Sequence, residues 1–156
     1  MENNISVRPA YEEEWQDAMG MAWLTFLKYD AKDYLPSGVR NFHDFITDEG
    51  LFQMFKRGQY QMFLVFENKQ IVGVITLRNV NHISLLFVEK EHLRKGIGRK
   101  LIDYVHNYLL SEVGAESLTV NAAPHGVGFY HKLGFCDIAP ETMKDGIIFT
   151  PMKLYL

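Results

Sequence analysis

Leu85-Leu86-Phe87-Val88-Glu89-Lys90-Glu91-His92-Leu93-Arg94-Lys95-Gly96-Ile97-Gly98-Arg99-Lys100-Leu101 passes from an apolar run, through a basic loop with two glycines, into a pattern of helical period. The apolar run reads as a buried strand. Ile97, Leu101, Ile102, Val105, Tyr108 and Leu109 form the stripe of a helix that starts close to Gly96 and ends by Gly114. A helix start presents N–H groups without intrahelical partners, at the positive end of the dipole. Gly96 and Gly98 let a ligand approach the backbone, and Arg94, Lys95, Arg99 and Lys100 add positive charge. The combination favours a bound phosphate or pyrophosphate over a plain turn with a charged helix start. Neither common phosphate motif is present. The P-loop lysine is missing, and the third glycine of the dinucleotide fingerprint is replaced by Leu101.

On the N-terminal side, Ile5–Pro9 alternates like a short strand. Trp15, Ala18, Met19, Ala22, Trp23 and Phe26 give an amphipathic helix from Tyr11 to about Tyr29. Asp30–Gly38 reads as a connector, and Phe42 to Phe55 as a second helical pattern, broken near Gly50 and ended at Gly58. Gln61–Glu67 and Gln70–Leu77 are strands joined at Asn68-Lys69, followed by a turn at Asn79-Val80-Asn81 and the strand His82–Val88. Beyond the long helix come a strand at Ser117–Ala122, a short helix at Pro124–Leu133 and a strand at Gly134–Ile138. Ile147–Tyr155 closes the series, and its Pro151 argues for an edge position or a bulge. The order implies an α/β (α+β) fold with a mixed, mostly antiparallel central sheet flanked by helices. The helical crossover after Val88 favours a parallel neighbour. No linker divides the chain, so residues 1–156 read as one domain.

Composition narrows the function classes. Of 156 residues, 47% are hydrophobic and 22% charged, as expected for a chain that buries a core without disulfide staples. Sixteen Lys+Arg against nineteen Asp+Glu leave a net charge of −3, which speaks against bulk nucleic-acid binding. No apolar run approaches the roughly 20 residues of a spanning helix, and no secretory signal is present, so the expectation is a cytoplasmic protein without a membrane partner. The single cysteine, Cys136, reads as the buried start of a strand. Histidines 43, 82, 92, 106, 125 and 131 lack metal-ligand spacing, so no metal is expected.

Arg94-Lys95-Gly96-Ile97-Gly98-Arg99-Lys100-Leu101, directly after a Leu-Phe-Val strand, resembles the acetyl-CoA loop of the GCN5-related N-acetyltransferase (GNAT) superfamily, Gln/Arg-x-x-Gly-x-Gly/Ala. A second block, Val120-Asn121-Ala122-Ala123-Pro124-His125-Gly126-Val127-Gly128-Phe129-Tyr130-His131-Lys132-Leu133-Gly134-Phe135, is similar to that family's later motif, which ends in Phe-Tyr-x-x-Leu-Gly-Phe. The order of elements also matches. One departure is Leu93, which stands where the family has Gln or Arg.

The resemblance implies acetyl-CoA as co-substrate and direct acetyl transfer to a primary amine, with a small molecule as the favoured acceptor. It also implies roles for residues. Backbone groups of Leu86, Phe87 and Val88 would pair with the pantetheine arm, and one of their N–H groups would polarise the thioester carbonyl. Arg94, Lys95, Gly96, Ile97, Gly98 and Arg99 would hold the pyrophosphate, and Asn121 the pantetheine region. Tyr130 would protonate the leaving thiolate, a step suited to a phenol of pKa about 10. Cys136 would not be a nucleophile. Each residue also has a plain structural use: core strand for residues 86–88, a cap or turn for Asn121, and packing for Tyr130.

The sequence names no general base; Glu89, Glu91, His82 and Ser84 are candidates, with Glu67 and Asp33 behind them. By the resemblance, Tyr29, Tyr34 and Phe42 would wall the acceptor cleft. The alternative to an enzyme is a non-catalytic acyl-CoA-binding or regulatory module on the same fold, which would need no Tyr130. Ile147–Tyr155, read as an edge strand, would also allow a homodimer.

Overall fold

The computed structural model describes residues 4–89 and 96–156. Its elements run β1 (Ile5–Pro9), α1 (Trp15–Tyr29), α2 (Pro36–Ile46), α3 (Glu49–Lys56), β2 (Gln61–Glu67), β3 (Gln70–Arg78), β4 (His82–Val88), α4 (Ile97–Tyr108), β5 (Ser117–Ala122), α5 (Val127–Lys132), β6 (Cys136–Asp137), β7 (Thr142–Lys144) and β8 (Ile147–Tyr155). The strands form one mixed sheet in the order β1-β2-β3-β4-β5-β8-β6, with β7 also paired to β8. Every neighbouring pair is antiparallel except β4 and β5, which run parallel because α4 carries the chain from one to the next.

Two apolar layers hold the sheet. Along β2 and β3, Phe63, Val65, Ile75 and Leu77 pack with Ile97, Leu101, Ile102 and Val105 of α4. Met62, Leu64 and Val74 turn to the opposite face and meet Trp15, Ala18, Met19 and Ala22 of α1. This alternation is the period-2 consequence of pleating. Gly73 sets how closely α4 sits: a Cβ there would lie 2.6 Å from Val65 Cγ1 and 3.3 Å from both Ile97 Cγ2 and Leu101 Cδ1.

The second helical region differs from the sequence expectation at its start and at its internal break. The connector is shorter than Asp30–Gly38, because Pro36 opens α2 in the first turn, where its missing N–H costs nothing. The break falls at Thr47-Asp48 rather than near Gly50. The Asp48 carboxylate caps α3 by accepting from the Gly50 N–H at 3.1 Å.

Two expectations for the C-terminal strands are corrected. β8 is an interior strand, not an edge, lying between β5 on one side and β6 and β7 on the other. Pro151 is tolerated because its carbonyl accepts from Ile138 N–H, so its own nitrogen faces that same flank, where the neighbour changes from β7 to β6. With β5 on one flank and β6 and β7 on the other, β8 is not the edge strand through which that homodimer would pair. Cys136 is exposed rather than buried: Phe135 takes the inward position and β6 is a two-residue strand at the sheet margin.

The β4–β5 pairing is confined to His82↔Thr119 and Ile83↔Val120. His82 Nδ1 and Thr119 Oγ1, 2.7 Å apart, stitch the two strands at this point. Burial, then the Arg78 charge, pushes the His82 imidazole down to about 4, so it is neutral at physiological pH.

Two stability predictions follow from this geometry. Val80, exposed in the β3–β4 turn, has φ 76°, a region that a β-branched residue occupies at a cost of about 1–2 kcal/mol. Val80→Gly should therefore raise stability by roughly 0.5–1 kcal/mol, seen as a higher urea midpoint. For His82, the unfolded chain binds a proton below about pH 6.5 while the folded chain does not until about pH 4. Stability contributed by neutral His82 is thus lost as pH falls through that window. His82→Gln should lose less than wild type between pH 6.5 and 4 when urea midpoints are compared pH by pH.

Candidate active site

Beyond Ile83, β4 and β5 diverge. β4 continues to Val88 paired only with β3, and β5 continues to Ala122 paired only with β8. The gap is a V whose β4 wall is the backbone of residues 84–88, without ladder partners on that side among the described residues. An unpaired strand flank of this kind accepts an extended polar chain as an added strand. Leu86 and Phe87 are half-buried and Val88 is buried, so the wall is apolar on its faces and polar along its rim.

At the open end of the V the two sequence blocks meet. Gly96, φ 71°, caps α4, and its carbonyl accepts from Lys100 N–H at 3.0 Å. One residue on, Ile97 is buried and anchors the helix. A Cβ on Gly98 would fall 3.1 Å from Phe129 Cζ and 3.9 Å from Val88 Cγ2. Gly98 therefore lets the ring of α5 lie against the first turn of α4, beside the end of β4. Arg99 and Lys100 point to solvent, with Arg99 Nε 4.0 Å from Asp103 Oδ2. Arg94, Lys95 and Glu91 lie outside the described residues.

Asn121 is exposed on β5 opposite Pro151, at the edge of the gap. Tyr130 is buried on α5, its ring packed between Phe129 and Phe135 with centroids 5.1 and 5.2 Å away. Its hydroxyl bonds to no described residue. Burial, and after it the Asp30 charge, pushes this phenol well above its ordinary pKa, so it carries its proton throughout the physiological range.

On the α1–α2 face, aromatic rings lead toward β4. Phe42 stacks on Phe26 at 4.1 Å and meets Phe87 edge-on at 5.8 Å, while Tyr34 abuts Phe26 at 5.0 Å. Burial, with Asp30 and Asp33 adding to it, pushes Tyr34 up to about 12. Tyr29 instead lines a separate groove of about 710 Å³ between α1 and the β2–β3 hairpin, together with Glu89. The β7–β8 turn reaches across to α2: Leu35 N–H donates to Gly146 O at 3.1 Å and Asn41 Nδ2 to Asp145 O at 3.2 Å. Only glycines permit this approach, since a Cβ on Gly146 would come 2.7 Å from Gly38 N.

The candidate bases separate on geometry. His82 is occupied by Thr119, and an imidazole held near pKa 4 is a poor proton acceptor. Ser84 Oγ accepts from Tyr60 at 2.9 Å. Glu67 stands at the β2 end by the hairpin, paired in register with Ile5 and Gln70. Asp33 is half-buried in the short turn after α1. Sequence reasoning missed the pair that stands out, Asp30 with His125. The Asp30 Oδ1 and His125 Nε2 atoms are in direct hydrogen-bond contact, joining the end of α1 to the turn before α5. The available signal was an aspartate closing an amphipathic helix, where the negative end of the dipole disfavours it.

No helix among the described residues is long and apolar enough to cross a membrane, and no cluster of potential metal ligands occurs among them. The structure resembles a GCN5-related N-acetyltransferase from Rhodopseudomonas palustris, with TM-score 0.82 and 22% identity over 100% of this chain and 99% of that one. It also resembles the PaiA N-acetyltransferase of Thermoplasma acidophilum, solved with coenzyme A, with TM-score 0.80 and 19% identity over 98% and 99% of the two chains. In sequence it is 30% identical over 92 residues to the uncharacterized Bacillus subtilis protein YyaT, which is 57% of this chain and 62% of that protein. The chain spans less than two thirds of the curated relatives it matches, 63% and 62% of their lengths. Residues 30–156 match the sequence model of the acetyltransferase (GNAT) domain, and the chain belongs to that family.

Proposed function

We propose that this protein is an N-acetyltransferase that moves the acetyl group of acetyl-CoA directly to a primary amine of a small molecule. The observation that carries the reading is the V between β4 and β5, with the Gly98–Phe129 contact at its mouth and, nearby, a Tyr130 hydroxyl without a partner among the described residues. The gap fits the pantetheine arm of CoA: one wall is an unpaired strand flank, and the first turn of α4 stands ready for phosphates. Acetyl-CoA supplies an acyl group activated as a thioester.

The chain's own residues do the rest. Backbone groups of Leu86 and Val88 orient the arm and polarise the thioester carbonyl, whereas the Phe87 amide, like the Glu89 N–H that donates to Val72 O, lies on the β3 flank. Arg94 through Arg99 hold the pyrophosphate, and Asn121 adds a polar contact at the β5 edge. Tyr130, kept neutral by burial, gives its proton to the sulfur as the C–S bond breaks and the C–N bond forms. Phe42 and Tyr34 wall the acceptor side. The Vibrio cholerae spermidine N-acetyltransferase, solved with CoA and spermine, has a similar structure (TM-score 0.70, 14% identity), which supports a small amine as acceptor. The roles place no demand on Cys136, which lies at the sheet margin.

Calorimetric titration with acetyl-CoA, with CoA, ATP and NAD as controls, tests the cofactor. The expected result is micromolar binding of acetyl-CoA that is lost in Gly96→Glu, whose side chain adds strain at φ 71° and a negative charge beside the phosphates. Tyr130→Phe should lower kcat about 100-fold in a thiol-release assay while acetyl-CoA affinity stays within about twofold. Failure to bind any CoA species would overturn the reading.

A further inference from the structure

Asp30 is 7% exposed, yet it is an acidic residue at the C-terminal end of a fifteen-residue helix. Both desolvation and the helix dipole disfavour a carboxylate there. Its one side-chain partner among the described residues is His125, from the turn between β5 and α5. The contact uses Nε2, so a neutral His125 donates Nε2–H to Asp30 and leaves Nδ1 as a free acceptor. The His125 side chain is 46% exposed, against 9% for Asp30, so the imidazole is the half of the pair open to a ligand. The adjoining Gly126 lies over Tyr130, where a Cβ would be 3.5 Å from the ring. The pair thus stands beside the proposed acid.

We infer that His125 is the proton acceptor for the incoming ammonium group and that Asp30 is its positioning residue. This inference rests on the acetyl transfer proposed above. An alkylammonium of pKa about 10.4 must be deprotonated before it can attack. One of its protons passes to His125 Nδ1, which holds it until the thiolate has left and then releases it to solvent. The free amine then attacks the thioester carbonyl carbon, the C–N bond forms and the C–S bond breaks. The second nitrogen proton leaves to solvent and balances the proton that Tyr130 gives to sulfur and then recovers. Acid and base are coupled through one charge: Asp30 opposes ionisation of Tyr130, and a proton on His125 cancels that opposition when the phenol must donate.

The groups facing His125 decide its basicity. Its pKa is raised above the ordinary value chiefly by the Asp30 hydrogen bond, against burial, with the Asp30 and Asp33 charges adding and Lys32 opposing. Tyr34 and Tyr130 remain neutral beside it. Asp30→Asn should therefore lower the His125 pKa, observable by NMR titration of the ring without any substrate.

The test compares pH profiles of kcat/KM by thiol release, over a panel of small primary amines, for wild type, Asp30→Asn, His125→Gln and His125→Ala. We expect an acid limb in wild type that follows the NMR pKa of His125 and moves to lower pH in Asp30→Asn. In His125→Gln the limb should vanish, with activity at pH 7 down about 100-fold and acetyl-CoA affinity within about twofold. Added imidazole should restore part of the activity of His125→Ala, which a purely structural clasp would not allow. A wild-type enzyme that turns over while His125→Gln keeps its acid limb overturns the inference and leaves the transferase standing. A wild type that binds acetyl-CoA but releases no thiol with any amine overturns both.

Discussion

The separation of β4 from β5 after a single pair of ladder positions governs the rest of the molecule. A parallel pair normally gains stability from each further register position, so ending it at Ile83↔Val120 gives up backbone hydrogen bonds. Only the outer flanks stay paired. β4 stays paired to β3 as far as Val88, and β5 stays paired to β8 as far as Ala122. The His82–Thr119 contact fixes where divergence begins, and the seating of α4 on Gly73 and against Phe129 fixes how far it opens. A polar rim is left inside an otherwise well-packed sheet. Such a rim is expensive to bury, so it is best explained as a place for something to bind.

The helices of the α1–α2 face are held to the same opening by different chemistry. Phe42 bridges Phe26 of α1 to Phe87 of β4, an apolar tie. On the far side, the β7–β8 turn touches α2 backbone to backbone at Gly38 and Gly146, with two hydrogen bonds from Leu35 and Asn41. The gap between the two strands is therefore spanned on this face by a contact between segments about one hundred residues apart. Asp30 and His125 add the polar tie, from α1 to the turn before α5. Three contacts of three kinds converge around one opening, so helix placement and site geometry are the same problem.

Sequence legibility followed the range of the interactions involved. Local signals read well: the amphipathic period of α1 and α4, the Asn68-Lys69 hairpin with both residues at positive φ, and the parallel crossover implied by a long helix between apolar strands. Errors came where a distant partner decides. Pro151 looked like an edge marker, but its nitrogen faces a flank where one partner strand gives way to another. Cys136 looked buried because Phe135 beside it is. β7 is three exposed residues with no apolar alternation to mark it as a strand, although the Asp145-Gly146 dipeptide after it is a strong turn signal. The candidate site divides in the same way. The two motif blocks were visible as strings, but their meeting at Gly98 and Phe129 is a tertiary fact. Asp30 and His125, ninety-five positions apart, had no spacing to betray them.

Electrostatics explains why the Asp30 position bears on both halves of the proposed chemistry. A phenol buried like Tyr130 is held in its protonated form, good for keeping a proton ready and poor for giving it up. A fixed negative charge nearby worsens the second property. Were Asp30 unpaired, Tyr130 would be a weaker acid at the moment the thiolate leaves. Pairing with an imidazole makes that charge conditional: it acts on Tyr130 while His125 is neutral and is cancelled once His125 is charged. Proton uptake on one side of the site then favours proton release on the other, with no movement of the backbone. In a low-dielectric cleft such a change in one unit charge weighs far more than it would in water. The His125 contact thereby offsets part of the cost of burying a carboxylate at the wrong end of a helix, and in the proposed transfer it ties the charge of Asp30 to the proton on His125.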